Sequence, residues 1–194
     1  MKKKTRLILS LIFIVALGLR IFAYYILGRV ENPLFWEYHS IANNFIDGKG
    51  LSYYFLGTTH FAYAEPFYCL LSSFFYYFTK HNYFLFGLIN ILFSGLLSVV
   101  VFFIGRVLFD EDIALLSSFL VALHPGLIYF STEFHPLTFN VLFFSMVMLF
   151  LLRLSRTHRI KDALLSGVFI GIAFLDRAIA LIFIPLFFIL MYQI

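Results

Sequence analysis

The chain has 194 residues, of which 62% are hydrophobic and 12% charged, and a mean hydropathy of +0.96. A water-soluble domain carries about a quarter charged residues, and apolar runs of membrane-spanning length recur along this chain, which excludes a separate soluble domain. The net charge of +4 does not point to nucleic acid, because the basic residues stand in short clusters beside apolar runs, as topology signals do. The single Cys69 excludes an internal disulfide framework.

Lys2, Lys3, Lys4 and Arg6 precede the first apolar run. They would suit a cleaved signal peptide, but the run continues past Arg20 to Leu27, which favours a retained span over residues 7–27. Arg20, inside that span, calls for a carboxylate partner or an outward-reaching side chain. Further spans are expected over 83–105, 113–131 and 134–152, and two shorter ones over 163–175 and 178–191 on either side of Asp176-Arg177. The expected fold is therefore all-α, a polytopic transmembrane helical bundle forming a single domain.

Residues 67–79 are apolar but too short to span comfortably. If they do not span, nine basic residues fall on the cytoplasmic side with the N-terminus and four (Arg29, Lys49, Lys80 and Arg177) outside; if they do, the split is six against seven. The preference for positive charge on the cytoplasmic side selects the first arrangement, with residues 28–82 as one long external loop carrying interfacial helices. The chain then belongs in the cell membrane, multi-pass, with its N-terminus cytoplasmic. Glu133 and His135 come to the same outer face as that loop.

Within the loop, Asn32 as cap, Pro33 at the first position and Gly48 beyond the end predict an amphipathic helix. Leu34, Tyr38, Ile41, Ala42 and Phe45 form its apolar stripe, with Glu37, Ser40, Asn44 and Asp47 opposite. The polar face of such a helix can be merely solvated.

The series Glu37-Tyr38-x-x-Ile41-Ala42-Asn43-Asn44-x-x-x-Gly48-x-Gly50-Leu51-Ser52-Tyr53, followed by Ala62 and Pro66-x-Tyr68, resembles the N-terminal region of the GT-C glycosyltransferases. These include the protein O-mannosyltransferases and aminoarabinose transferases. Pro125-x-x-Ile128-Tyr129-x-Ser131-x-Glu133 and Gly167-x-x-x-Gly171-x-Ala173-x-Leu175-x-Arg177 are similar to later parts of the same family, in the same order.

The resemblance implies inverting transfer of a hexosyl or pentosyl group from a polyprenyl-phosphate-linked donor to a glycan, lipid or protein acceptor on the non-cytoplasmic face, within the cell envelope. It implies Glu37 as the catalytic base, in place of the family's commoner aspartate, with Glu31 and Glu65 as rivals. It implies Glu133 as a second acid and leaves room for a divalent metal, although neither loop supplies a full ligand set. Glu65, His60, His135 and Arg177 are the candidate substrate-binding residues. For Arg177, an ion pair to Asp176 or another acid competes with a contact to the donor phosphate, which suits a guanidinium fork. Family members generally have more spans, so the chain is expected to represent the N-terminal portion of such an enzyme. The competing expectation is a non-catalytic membrane protein: a partner subunit, a scaffold or a transporter-like protein.

Overall fold

The computed structural model describes residues 2–192. The protein is helical, with one small hairpin. Helix α1 (Lys3–Ile26) is followed by α2 (Glu37–Ile46), strands β1 (Ser52–Phe55) and β2 (Thr58–Phe61), and α3 (Pro66–Thr79). Then come α4 (Tyr83–Leu108), α5 (Glu111–Leu123), α6 (Pro125–Phe130), α7 (Leu137–Thr157), α8 (Ile160–Asp176), a 3-10 turn (Ala178–Ile182) and α9 (Phe183–Met191). Helices α1, α4 and α7 are long and apolar enough to cross a membrane.

Local chemistry explains the boundaries. Asn82 accepts from the Leu85 amide to start α4, and Asp110 accepts from the Ile113 amide to start α5, where Glu111 and Asp112 complement the helix dipole. Helix α3 has Pro66 in its first turn and ends where Lys80 adopts a left-handed conformation.

Three expectations change. Asn32 does not cap α2: the helix starts at Glu37 after extended Trp36, because the backbone just before it pairs instead with residue 134. The continuous helix expected over 113–131 is two helices, since Pro125 has no amide hydrogen to continue the ladder and holds His124 extended. Residues 178–191 likewise begin as a 3-10 turn before α9.

Arg20 is fully buried and pairs with no carboxylate. Its Nε donates to Ser94 Oγ at 2.7 Å, and its Nη1 donates to the carbonyls of Ala16 at 2.9 Å and Ala122 at 3.1 Å. The Ala122 carbonyl lies at the α5–α6 break, so the guanidinium satisfies an acceptor that the proline exposes.

At one end of the bundle Thr5 donates to Glu111, which also faces Arg106, and Arg153 pairs with Asp162 at 3.0 Å. The α2–hairpin–α3 segment covers the other end. Both ends of α3 stand there: Tyr68, near its start, packs on Tyr38, while Tyr76, near its finish, packs on Tyr83 at the start of α4. A polar clamp closes this layer. Asn43 Nδ2 lies 3.0 Å from His39 Nε2, His39 Nδ1 lies 3.3 Å from the Tyr76 hydroxyl, and His81 Nε2 lies 3.1 Å from Asn43 Oδ1. The Asn43 amide can only donate to His39 Nε2, so His39 is neutral, with its proton on Nδ1. Burial, helped by His81, pushes its pKa down to about 4.

Candidate functional site

The site is assembled where residues 34–36 meet residues 133–135. The Phe134 amide donates to the Leu34 carbonyl at 3.2 Å, and Phe35 and Phe134 form a parallel bridge. Asn90 on α4 fixes the second strand of this junction by donating to the carbonyls of Ser131 at 3.0 Å and Glu133 at 2.8 Å.

Glu133 is buried, at 1% exposure. One carboxylate oxygen accepts from Arg29 at 3.3 Å, and the other accepts from the Trp36 indole nitrogen at 3.1 Å. Arg29 also lies over the Tyr129 ring. Glu133 is thus neither a solvated span end nor an unoccupied acid. It holds Trp36, the residue that leads into α2, so Glu37 follows from a fixed point.

Glu37 is half-buried in the first turn of α2. His135 stands close enough to feel the charges of Glu37, Glu133 and Arg177, while burial lowers its pKa. Its Nδ1 accepts from the Leu137 amide at 3.1 Å, capping α7, which leaves the neutral ring with its proton on Nε2. Its ring lies edge-on to Trp36 and Tyr38.

Glu65 is the residue before α3, and its charge acts on Tyr38, Cys69 and Asp176. Burial and Glu65 push the Cys69 thiol up to about 12. Arg177 is exposed on extended backbone after α8, and its charge reaches Tyr38, His135 and Asp176. It makes no ion pair among the described residues, so of its two competing readings the bridge to Asp176 is not formed.

Glu37, Glu65, His135 and Arg177 therefore share one end of the bundle, with Glu133 beneath them. His60 stands apart on the hairpin, exposed, with its Nε2 2.8 Å from Thr58 Oγ1. Glu31, the other rival acid, is exposed before Pro33. Among the described residues no group of three or more His, Cys, Asp or Glu side chains is arranged to hold a metal ion.

Sequence reasoning missed Arg29, Trp36 and Asn90. Arg29 registers in sequence only as a topology charge. The one readable signal was Asn90, a buried polar residue inside a long apolar run, which demands hydrogen-bond partners.

Spanning helices with acids, a histidine and an arginine gathered at one end define a membrane protein with a polar site on one face of the bundle. Residues 64–193, two thirds of the chain, match the family described as dolichyl-phosphate-mannose-protein mannosyltransferase. The chain belongs to that family, and it is a membrane glycosyltransferase of the GT-C type. The match includes Glu65, Glu133, His135 and Arg177 and begins after Glu37 and His60. Neither a curated protein nor a solved structure matches the chain.

Proposed function

We propose that the protein transfers a sugar from a polyprenyl-phosphate-linked donor to an acceptor hydroxyl at the non-cytoplasmic face of the membrane, with Glu37 as general base. The convergence of Glu37, Glu65, His135 and Arg177 at one end of the bundle, around the Arg29–Glu133–Trp36 anchor, carries this reading.

The reaction is a single displacement. The acceptor oxygen attacks the anomeric carbon and forms the new glycosidic bond. The bond from that carbon to the phosphate oxygen breaks, and its electron pair leaves with the phosphate. Glu37 takes the acceptor proton, a role that needs a carboxylate within reach but not locked into another pair. Its side chain has no hydrogen-bond or ion-pair partner among the described residues, whereas that of Glu133 is paired on both oxygens. Glu133 is accordingly a positioning residue. Arg177, exposed and without an ion pair, suits the departing phosphate. The His135 Nε2 proton is available to an acceptor or sugar oxygen. Glu65 adds its charge beside Tyr38 and Asp176, and His60 takes no part.

With the N-terminus cytoplasmic, this end of the bundle faces outward, with α3 lying in the outer interface. Membranes containing the protein, supplied with a polyprenyl-phosphate sugar, are expected to transfer the sugar, and Glu37→Gln to lose transfer by about a hundredfold or more. Undiminished transfer by the variant removes Glu37 as the base. A cysteine at position 157, placed in a Cys69→Ser background, is expected to resist impermeant maleimide applied from outside. Ready labelling there overturns the orientation.

A further inference from the structure

Asp176 closes α8, just past the apolar run that ends at Leu175. It is 2% exposed, and neither carboxyl oxygen has a hydrogen-bond partner. The Tyr68 hydroxyl is buried beside that of Ser72, one turn on along α3, and Asp176 is near enough to act on Tyr68. An ionised carboxylate that is buried and unpaired is far costlier than a neutral carboxyl. A neutral carboxyl can also donate to a neighbouring hydroxyl oxygen, which a carboxylate cannot.

The next residue turns the other way. Arg177 is exposed, carries a charge that reaches Asp176, and yet forms no ion pair with it. Arg177 stands on extended backbone, so the two adjacent side chains leave the chain in different directions.

Resting on the sugar-transfer reading above, we propose that Asp176 is a positioning residue controlling how much of the Arg177 charge is offered to the donor phosphate. Protonated, it leaves the guanidinium facing outward; ionised, it draws the guanidinium inward and competes with the phosphate. The groups acting around Asp176 are Glu65 just before α3, Tyr68 on α3 and Arg177 beyond α8, and Glu65 and Arg177 in turn act on Tyr38 and Arg177 on His135. The 3-10 turn brings no titratable side chain. Burial and Glu65 push Asp176 up to about 7 and Arg177 opposes them, so its ionisation falls where activity can be assayed. A polyprenyl-phosphate sugar is a phosphodiester that stays singly charged over this range, so a change in its binding reports the protein.

The test is the pH dependence of the donor KM between pH 5.5 and pH 8.5, in wild type and in Asp176→Asn. Asparagine mimics the neutral acid. The wild-type donor KM is expected to rise about tenfold across the range with kcat changing less, and the variant KM to stay flat. A flat wild-type KM, or a variant KM that rises in parallel with it, overturns the proposal.

A second measurement does not need activity. Infrared titration of the wild-type protein in detergent should show a protonated-carboxyl carbonyl band at pH 6 that fades above pH 8 and is missing in Asp176→Asn. Absence of that band in the wild type at pH 6 overturns the proposal. No transfer by wild type at any pH, with the band present, defeats the sugar-transfer reading while leaving a proton-holding Asp176.

Discussion

The Arg29–Glu133 pair allows a prediction about asymmetry. Its two side chains are unequally buried: that of Arg29 is 17% exposed and that of Glu133 is 0%. Replacing Arg29 by alanine leaves a buried carboxylate with only neutral side-chain donors, the Trp36 indole and the Tyr129 hydroxyl, and taking the cation from a buried charge costs about 3 kcal/mol or more. Glu133→Gln instead leaves the charge on Arg29, which retains some water, and keeps an amide oxygen for the indole. That exchange of a charged for a neutral hydrogen bond costs about 1 kcal/mol. Arg29→Ala is therefore expected to destabilise the protein by about 2 kcal/mol more than Glu133→Gln, the difference of those two estimates.

The assay is built in. Trp36 is the chain's single tryptophan, so denaturant unfolding in detergent micelles can be followed by emission from the site itself. Equal costs, or a larger cost for Glu133→Gln, would refute the claim that burial of Glu133 dominates the pair.

Gly105→Ala is expected to loosen the α4–α5 contact and cost about 1–3 kcal/mol in the same unfolding assay. A Cβ there would stand 2.8 Å from the Ala114 Cα, which is backbone and yields poorly. His39 has a folded pKa of about 4 against an ordinary 6.5, so the unfolded chain binds its proton first as pH falls. Stability is thus expected to fall from pH 6.5 towards pH 4, and His39→Gln to flatten that slope; an unchanged slope in thermal melts would refute the assignment. Cys69, fully buried and with its thiol pushed up to about 12, should resist maleimide at pH 7.5 until the protein is denatured.

The sequence revealed the helical class and the long apolar helices because spanning length is a signal that each segment carries alone. It was poorer where distant segments decide local structure. Asn32-Pro33 reads as a helix start, but residues 34–36 are taken by their junction with Phe134, a partner almost a hundred residues away. The hairpin had a readable cue in Leu56-Gly57, both with positive φ, between aromatic and β-branched residues. Pro125 could have announced the break after α5. At the site, Glu37, Glu65, His135 and Arg177 were legible as residue types in segments that the charge distribution reads as external. What the chain order hid was pairing: Glu133 reads as a second acid of the site, and nothing in the sequence says that Arg29 and Trp36 hold both its oxygens.

Arg20 has a consequence for biogenesis. It lies six residues from the C-terminal end of α1, roughly 9 Å inside it at 1.5 Å per residue. Its partners Ser94 and Ala122 belong to α4 and α5, which leave the ribosome long after α1. A nascent α1 must therefore enter the bilayer with an uncompensated guanidinium, a charge that costs up to about 3 kcal/mol when placed at a helix centre. The apolar residues around it carry the insertion, but the helix reaches its final depth and rotation only once the α5–α6 break arrives to accept the proton donors of Arg20. Ribosome-stalled chains ending before residue 122 should hold α1 loosely, and chains extending past the break should lock it in place.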